Sequence, residues 1–313
     1  MADRTVTIIP STGDYTSLAT ALTTEYASYP DLTADNGSGG AGMLNFAISG
    51  DWSAAADAVA SVPAFVTSAT YRVNIYTDAA NRASLAWDDD KYRISGDPDI
   101  YHGALELLNP NHVLVDGLQV AATAAGNYRH NILVTGDLRT DGANATWISN
   151  CLLKGVGGTT RAYCYGIYVV GDYSDVWVWN TGIYNVRAGG VCYGAYCYVS
   201  GGSLTIGSTT IIGGTSGLRR STGTCVAKNV YSGGSASGDF YGTMTKTTCA
   251  SSDTTGSAGL QEIPVSTATF VNVTAGTEDW HLAAGSALIG VGTDTSGDAA
   301  PMDFSDDIDG DAR

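Results

Sequence analysis

The chain of 313 residues carries a formal net charge of −16, and it contains 40 glycines, 18 tyrosines and 27 Asp against 4 Glu. Because aspartate favours turns and glutamate favours helices, this composition argues against a helical protein and predicts short strands joined by tight turns. The negative charge argues against nucleic acid as a partner. No apolar run of about 18 residues is present, so we expect no membrane span.

The chain begins with a predicted strand at residues 5–9 and a predicted helix from about residue 15 to residue 26. Apolar residues recur there at helical spacing and would form one stripe: Leu18, Ala21, Leu22 and Tyr26. We expect this helix to cover the open end of a stack of strands, whose unpaired edge would otherwise invite aggregation. The first five residues lack an apolar signal region, so no signal peptide is expected in this chain.

The middle of the chain repeats itself. Residues 164–168 (CYGIY) return 28 positions later as residues 192–196 (CYGAY), and residues 176–180 match residues 204–208 at the same distance. Residues 132–137 match residues 167–172 at a distance of 35. A sandwich does not repeat a two-strand unit at this spacing, and a propeller blade is longer, so stacked coils with strands about 4.8 Å apart fit best. Two further strands are predicted at residues 148–152 and 226–230.

We therefore predict an all-β fold, a single-stranded right-handed parallel β-helix with a short N-terminal capping helix and an irregular C-terminal cap. It divides into an N-terminal strand and helix (residues 1–40), the coils (residues 41–265) and a C-terminal coil and cap (residues 266–313), which together form one continuous domain.

Both ends of the chain resemble known β-helix proteins. Residues 270–272 (FVN), 279–282 (DWHL), 285–292 and 307–313 look like the C-terminal segment of repeat proteins in the pectate-lyase-like superfamily of right-handed parallel β-helices. Residues 5–8, 13–18, 91–94 and 113–118 are similar to β-helix proteins of bacteriophage and uncultured-virus genomes. The resemblance implies a protein of the virion or the extracellular space, and a homotrimer. Its motifs are structural, so it does not carry an activity.

Aspartates recur in successive predicted coils. The spacing of 35 would place Asp137 over Asp172 and Asp141 over Asp175, each pair about 5 Å apart. Carboxylates at that distance either raise one pKa or bind a cation such as Ca²⁺. Asp137 and Asp172 would then be catalytic in a polysaccharide lyase or glycoside hydrolase, with Arg187 among several candidate bases, and Asp141 and Asp175 would hold the metal. Alternatively, each carboxylate only caps its own turn.

Aromatic residues are dense between residues 147 and 198. Alternation along residues 176–179 puts the valines inside and the tryptophans outside, and exposed flat rings stack on sugars. The predicted ligand-binding residues are Trp147, Tyr173, Trp177, Trp179 and Tyr184. The alternative is that stacked aromatic residues stabilise the coils without a ligand. This alternative is strongest for two predicted ladders, which are Tyr165 over Tyr193 and Tyr168 over Tyr196.

The cysteine at the start of each repeat should meet its equivalent in the next coil. Cys164 and Cys192 would be within disulfide range, or they would form a pair of reduced buried thiols. The missing signal region favours the reduced pair.

Three functions are consistent with these patterns. The leading one is a polysaccharide-binding protein, a component of a viral or surface appendage. The alternatives are a polysaccharide lyase or glycoside hydrolase that uses the aspartates, and a structural spacer without a ligand.

Overall fold

The computed structural model describes residues 3–33, 42–96, 102–123, 128–136, 145–155, 163–172, 175–186, 191–295 and 297–298. These residues form one helix, α1 (Leu18–Ser28), and 23 strands. The strands are β1 (Arg4–Ile8), β2 (Leu44–Ile48), β3 (Ala60–Val62), β4 (Val73–Thr77), β5 (Arg93–Gly96), β6 (Gly103–Leu108), β7 (Val113–Asp116), β8 (Gln119–Ala122), β9 (Tyr128–Gly136), β10 (Ala145–Ser149), β11 (Leu152–Gly155), β12 (Tyr163–Asp172), β13 (Asp175–Trp179), β14 (Gly182–Val186), β15 (Val191–Gly207), β16 (Thr210–Gly213), β17 (Ser216–Lys228), β18 (Tyr231–Gly233), β19 (Gly238–Tyr241), β20 (Thr245–Thr247), β21 (Ala250–Ser251), β22 (Phe270–Asn272) and β23 (Asp279–Leu282).

The strands β1 to β21 stack in parallel and define three faces of a parallel β-helix. The first face contains β1, β2, β4, β7, β10, β13, the C-terminal parts of β15 and β17, and β20. The second face contains β3, β6, β9, β12, the N-terminal parts of β15 and β17, and β19. The third face contains β5, β8, β11, β14, β16, β18 and β21. The predicted all-β solenoid is confirmed.

The repeats predicted from the sequence set the register of the coils. Cys164 pairs with Cys192 across β12 and β15, as the spacing of 28 predicts. Ile132 pairs with Ile167 across β9 and β12, as the spacing of 35 predicts. The interior is filled by side chains that follow one another from coil to coil in such rows, for example Ile132, Ile167, Ala195 and Leu218. Each coil therefore buries its apolar side chains only against its neighbours, as in other solenoids.

The corner between the first and third faces is a left-handed turn. The backbone there has positive φ at Asn150 (52°), Asn180 (48°), Ser208 (44°) and Asn229 (55°). Asparagine tolerates this conformation because its short polar side chain can hydrogen-bond locally. The strands predicted at residues 148–152 and 226–230 are therefore wrong at their C-terminal ends. β10 ends at Ser149 and β17 at Lys228, each just before the asparagine, and the next strands, on the third face, begin at Leu152 and Tyr231.

The helix α1 packs against β1 and β3, the first strands of the first and second faces. Leu18, Ala21 and Leu22 are buried as the sequence predicts. The helix begins three residues later than predicted because Ser17 is its N-cap and accepts a hydrogen bond from the Thr20 amide at 3.2 Å. The helix therefore contacts the end of the stack, where a cap is needed.

The C-terminal segment covers the outer side of the third face. Phe270 of β22 and Trp280 of β23 are buried against outward side chains of that face, including Tyr184 and Tyr231. The Trp280 amide also donates to the Leu85 carbonyl at 3.1 Å. No described helix has the length and apolar character needed to cross a membrane.

Candidate functional site

Two tryptophans stack on the outer side of the first face. Trp147 of β10 and Trp177 of β13 are register partners, and their ring centroids lie 6.4 Å apart with an interplanar angle of 24°. The adjacent Val176 and Val178 are fully buried, whereas Trp177 and Trp179 are half-buried. The predicted alternation of inward valines and outward tryptophans is confirmed. We call Trp147, Trp177 and Trp179 the tryptophan surface.

An arginine lies against one side of the tryptophan stack, and the stack ends at Trp177 on the other side. The guanidinium carbon of Arg72 lies 5.6 Å from the centroid of the Trp147 ring, which closes the side toward the N-terminal coils. In the next coil, Trp177 pairs with Thr205 and Trp179 pairs with Gly207. Among the described residues, Trp147 is the only ring that contacts Trp177. A small side chain therefore follows Trp177, and no second ring of the described residues covers the Thr205 side of its indole face.

The structure describes two of the four aspartates predicted as site residues, Asp172 and Asp175. The Asp175 carboxylate accepts a hydrogen bond from Ser203 Oγ at 2.5 Å, and the register puts Ala145 beside Asp175. The register partner of Asp175 is therefore Ala145 and not the predicted Asp141, which lies outside the described residues. Asp172 pairs with Ser200 in β15.

Four predicted site residues lie outside the described residues, namely Asp137, Asp141, Tyr173 and Arg187. Within the described parts of the chain, no group of three or more His, Cys, Asp or Glu side chains could hold a metal ion. The catalytic roles of Asp137, Asp172 and Arg187, and the calcium site, stay predictions.

Tyr184 lies apart from the tryptophan surface. It is on β14 of the third face, 1% exposed, and its ring centroid is 5.7 Å from that of Trp280. Burial raises the pKa of its hydroxyl well above the ordinary value. The structure does not bring Tyr184 to an open surface, because the C-terminal segment covers it. The sequence could not indicate this, since the covering strand is almost a hundred residues away along the chain.

A second aromatic cluster lies on the second face. Tyr165 stacks on Tyr193 with centroids 5.3 Å apart, and Tyr168 stacks on Tyr196 at 5.3 Å with an angle of 8°. The two predicted tyrosine ladders are confirmed. Burial raises the pKa of Tyr168 to about 12, so its hydroxyl remains protonated at neutral pH. We call these four residues, with Tyr198 and Tyr241, the tyrosine surface.

The tyrosine surface begins at a buried histidine. The ring of His130 is stacked on Tyr165 at 4.9 Å with an angle of 10°. Burial lowers the pKa of His130 to about 3, so the imidazole is neutral at physiological pH and acts as one more flat ring in the stack.

The cysteine pair lies on the inner side of the same strands. Cys164 and Cys192 form a disulfide, with Cα atoms 4.5 Å apart. The expectation of a reduced pair is wrong, although their predicted adjacency is correct. The other cysteines, Cys151, Cys197, Cys225 and Cys249, are buried and free.

Comparison of the chain with models of protein families, with curated proteins and with solved structures finds no match in any of the three. A function can therefore be inferred only from the geometry of the tryptophan and tyrosine surfaces.

Proposed function

We propose that this chain binds a polysaccharide on the tryptophan surface. The observation that carries the proposal is the half-buried indole of Trp177, which ends an aromatic stack and is followed in the next coil by Thr205. A sugar ring presents an apolar face of C–H groups. This face packs well on a flat aromatic ring whose polar edge remains in contact with water. A contiguous apolar patch with a polar rim marks a binding surface, and three tryptophans lie together here.

The neighbouring tryptophan extends this surface along the strand. Trp177 and Trp179 are two residues apart and point to the same side, which separates their side chains by about 7 Å. The residue that follows Trp179 in the next coil is Gly207, which has no side chain. The surface therefore offers two adjacent aromatic contacts, a number suited to consecutive units of a chain of sugars.

The charge of the protein indicates which kind of polysaccharide binds. A net charge of −16 repels polyanions at long range, so a neutral polysaccharide is the better partner for the tryptophan surface. Polar atoms beside the rings, among them the Asp175 carboxylate and the Ser203 hydroxyl, can hydrogen-bond sugar hydroxyls and fix their orientation.

We also propose a superfamily, a location and an oligomeric state for the protein. A parallel solenoid with two aromatic lateral surfaces suits an appendage that contacts glycans along its length, which supports membership of the pectate-lyase-like superfamily and a place on a virion or in the extracellular space. The resemblance of the chain to viral β-helix proteins supports a homotrimer. Analytical ultracentrifugation tests the trimer directly, since a monomer has a mass of 32.2 kDa.

Affinity electrophoresis through gels that contain neutral polysaccharides tests the binding proposal. We expect one glycan to retard the wild type, and we expect Trp177→Ala to remove the retardation. A second variant, Thr205→Trp, places a ring on the open face of Trp177 and should block the sugar while lengthening the stack. Trp87→Ala is the matched control, because Trp87 is also half-buried but lies against the C-terminal segment, away from the first face. Equal retardation of all four proteins, or of none, contradicts the proposal.

A further inference from the structure

A single arginine lies among the rings of the tyrosine surface. Arg219 is on β17, in register with Tyr196 of β15 and Tyr241 of β19. Its guanidinium carbon is 4.6 Å from the ring centroid of Tyr193, 4.7 Å from that of Tyr241 and 5.7 Å from that of Tyr196. Contacts of this kind hold the guanidinium in one place and lower the entropy that it loses when it binds a ligand.

Arg219 has no acidic partner among the described residues, although the chain has 31 acidic and 15 basic residues. Three other arginines of the described parts have one, since Arg4 pairs with Glu25, Arg82 with Asp116 and Arg93 with Asp89, whereas Arg72 and Arg220 have none among the described residues. No described carboxylate neutralises the positive charge of Arg219, so this charge is available to an anionic ligand. A purely structural stack could have a neutral ring at this position. It has one at its other end, where His130 stacks on Tyr165.

The hydrogen bonds of Arg219 leave donors open. Its Nη1 donates to the Tyr193 hydroxyl at 2.5 Å, and its Nε is buried without a partner among the described residues. Its Nη2 makes no hydrogen bond to a described residue and is not among the buried atoms. The outer edge of the guanidinium therefore faces solvent between rings, and a planar acceptor could bind there through two parallel hydrogen bonds.

The surroundings suit a sugar better than a peptide. Tyr198 and Tyr241 are each 46% exposed; the Tyr241 ring lies against the guanidinium of Arg219, and Tyr198 stacks on Tyr196. Tyrosine provides apolar contact and hydrogen bonding together, which fits a sugar ring. A peptide that added a strand would need an open edge, but β17 is paired on both sides here, with β15 and with β19.

We propose that Arg219 and the tyrosine surface bind an acidic sugar unit, with the carboxylate of the sugar on the guanidinium and its ring against Tyr198 and Tyr241. This site is on the second face and is separate from the tryptophan surface of the first face. The proposal does not rest on the neutral-glycan proposal, and each can fail alone.

The test is a calorimetric titration with trigalacturonic acid and with its methyl ester, which is the same sugar without the charges. Loss of one charge-assisted hydrogen bond typically weakens binding about tenfold or more, so we expect the acid to bind at least tenfold more tightly than the ester. Arg219→Gln should remove the difference, and Arg219→Lys should restore only part of it, because lysine lacks the planar fork. Arg220→Gln is the matched control, since Arg220 donates through Nε to the Gly223 carbonyl and lies next in the chain.

Several results would overturn the proposal: equal binding of acid and ester, no binding of the acid, or full binding by Arg219→Gln. Inorganic sulfate provides a further arm. Competition by sulfate at the same concentration as the sugar acid would show a general anion site and would overturn the assignment of a sugar. If Arg219→Gln lowers the melting temperature, Tyr241→Ala replaces it, because Tyr241 is exposed at the end of the stack; unchanged affinity in that variant would also contradict the proposal.

Discussion

Replacement of Asn150 probes the corner between the first and third faces. Asn150 has φ of 52° and is 5% exposed. Its Nδ2 donates to the Asp116 carboxylate at 2.5 Å, and its Oδ1 accepts from Asn180 Nδ2 at 3.3 Å. The side chain therefore links three successive coils, from Asp116 through Asn150 to Asn180.

Two substitutions separate the backbone from the hydrogen bonds. Asn150→Gly keeps the left-handed conformation and loses both side-chain hydrogen bonds, which should cost about 2 kcal/mol, mostly from the bond to the charged Asp116. Asn150→Ala loses the same bonds and also places a Cβ in the left-handed region, which adds about 1 kcal/mol. We expect free energies of unfolding lower by about 2 and about 3 kcal/mol, respectively.

Urea unfolding followed by circular dichroism measures both differences, provided that the slopes of the transitions agree with that of the wild type. A solenoid can lose cooperativity between its coils, and a changed slope would reveal it. The reasoning is refuted if alanine and glycine have the same effect, or if neither lowers the unfolding free energy by more than about 0.5 kcal/mol, which is the range of ordinary surface substitutions.

Three further predictions concern the interior. Gly194→Ala would put a Cβ 2.8 Å from the Gly217 carbonyl oxygen of the next coil, so we expect a loss of about 2 kcal/mol or more in urea unfolding, and a neutral result would contradict the observed close packing. Burial raises the pKa of Asp57 above 3.8, so the folded state binds this proton more tightly than the unfolded state does. The stability of the wild type relative to Asp57→Asn should therefore fall as the pH rises from about 3.8. A relative stability that rises over this range would contradict the burial of Asp57. The disulfide joins Cys164 and Cys192 across a separation of 28 residues, so dithiothreitol should lower the unfolding midpoint of the wild type but not that of Cys164→Ser.

The sequence predicts the fold where consecutive coils repeat the same residues. The motifs that begin at Cys164 and Cys192 align β12 with β15 because identical side chains stack on themselves, and the tyrosine ladders follow from that register. The outward direction of Trp177 follows in the same way from strict alternation with buried valines. Local patterns are sufficient here because each coil contacts only the next one.

The sequence does not predict features that depend on the length of a loop or on distant segments. The register of β10 and β13 puts Ala145 beside Asp175, where the spacing of the sequence predicted Asp141. The C-terminal segment buries Tyr184 from the far end of the chain. In the sequence, Arg219 is one of two adjacent arginines, and no repeat marks its position. Only the register places it over Tyr196, because the coil that leads to it is 23 residues long and not 28.

Fluorine NMR of protein labelled with 5-fluorotryptophan tests the central claim most directly, since the chain has 6 tryptophans, on different faces and in different environments. Titration with an oligosaccharide of the retained glycan should shift the Trp177 resonance first, while Trp52 and Trp280, which are buried, and Trp87, which lies against the C-terminal segment, should not move. Substitution of each tryptophan by phenylalanine assigns the signals. A saturable shift confined to Trp177 and its neighbours on the tryptophan surface is the predicted result. A shift confined to the other three tryptophans, or no shift at a saturating concentration, would contradict glycan binding at this surface.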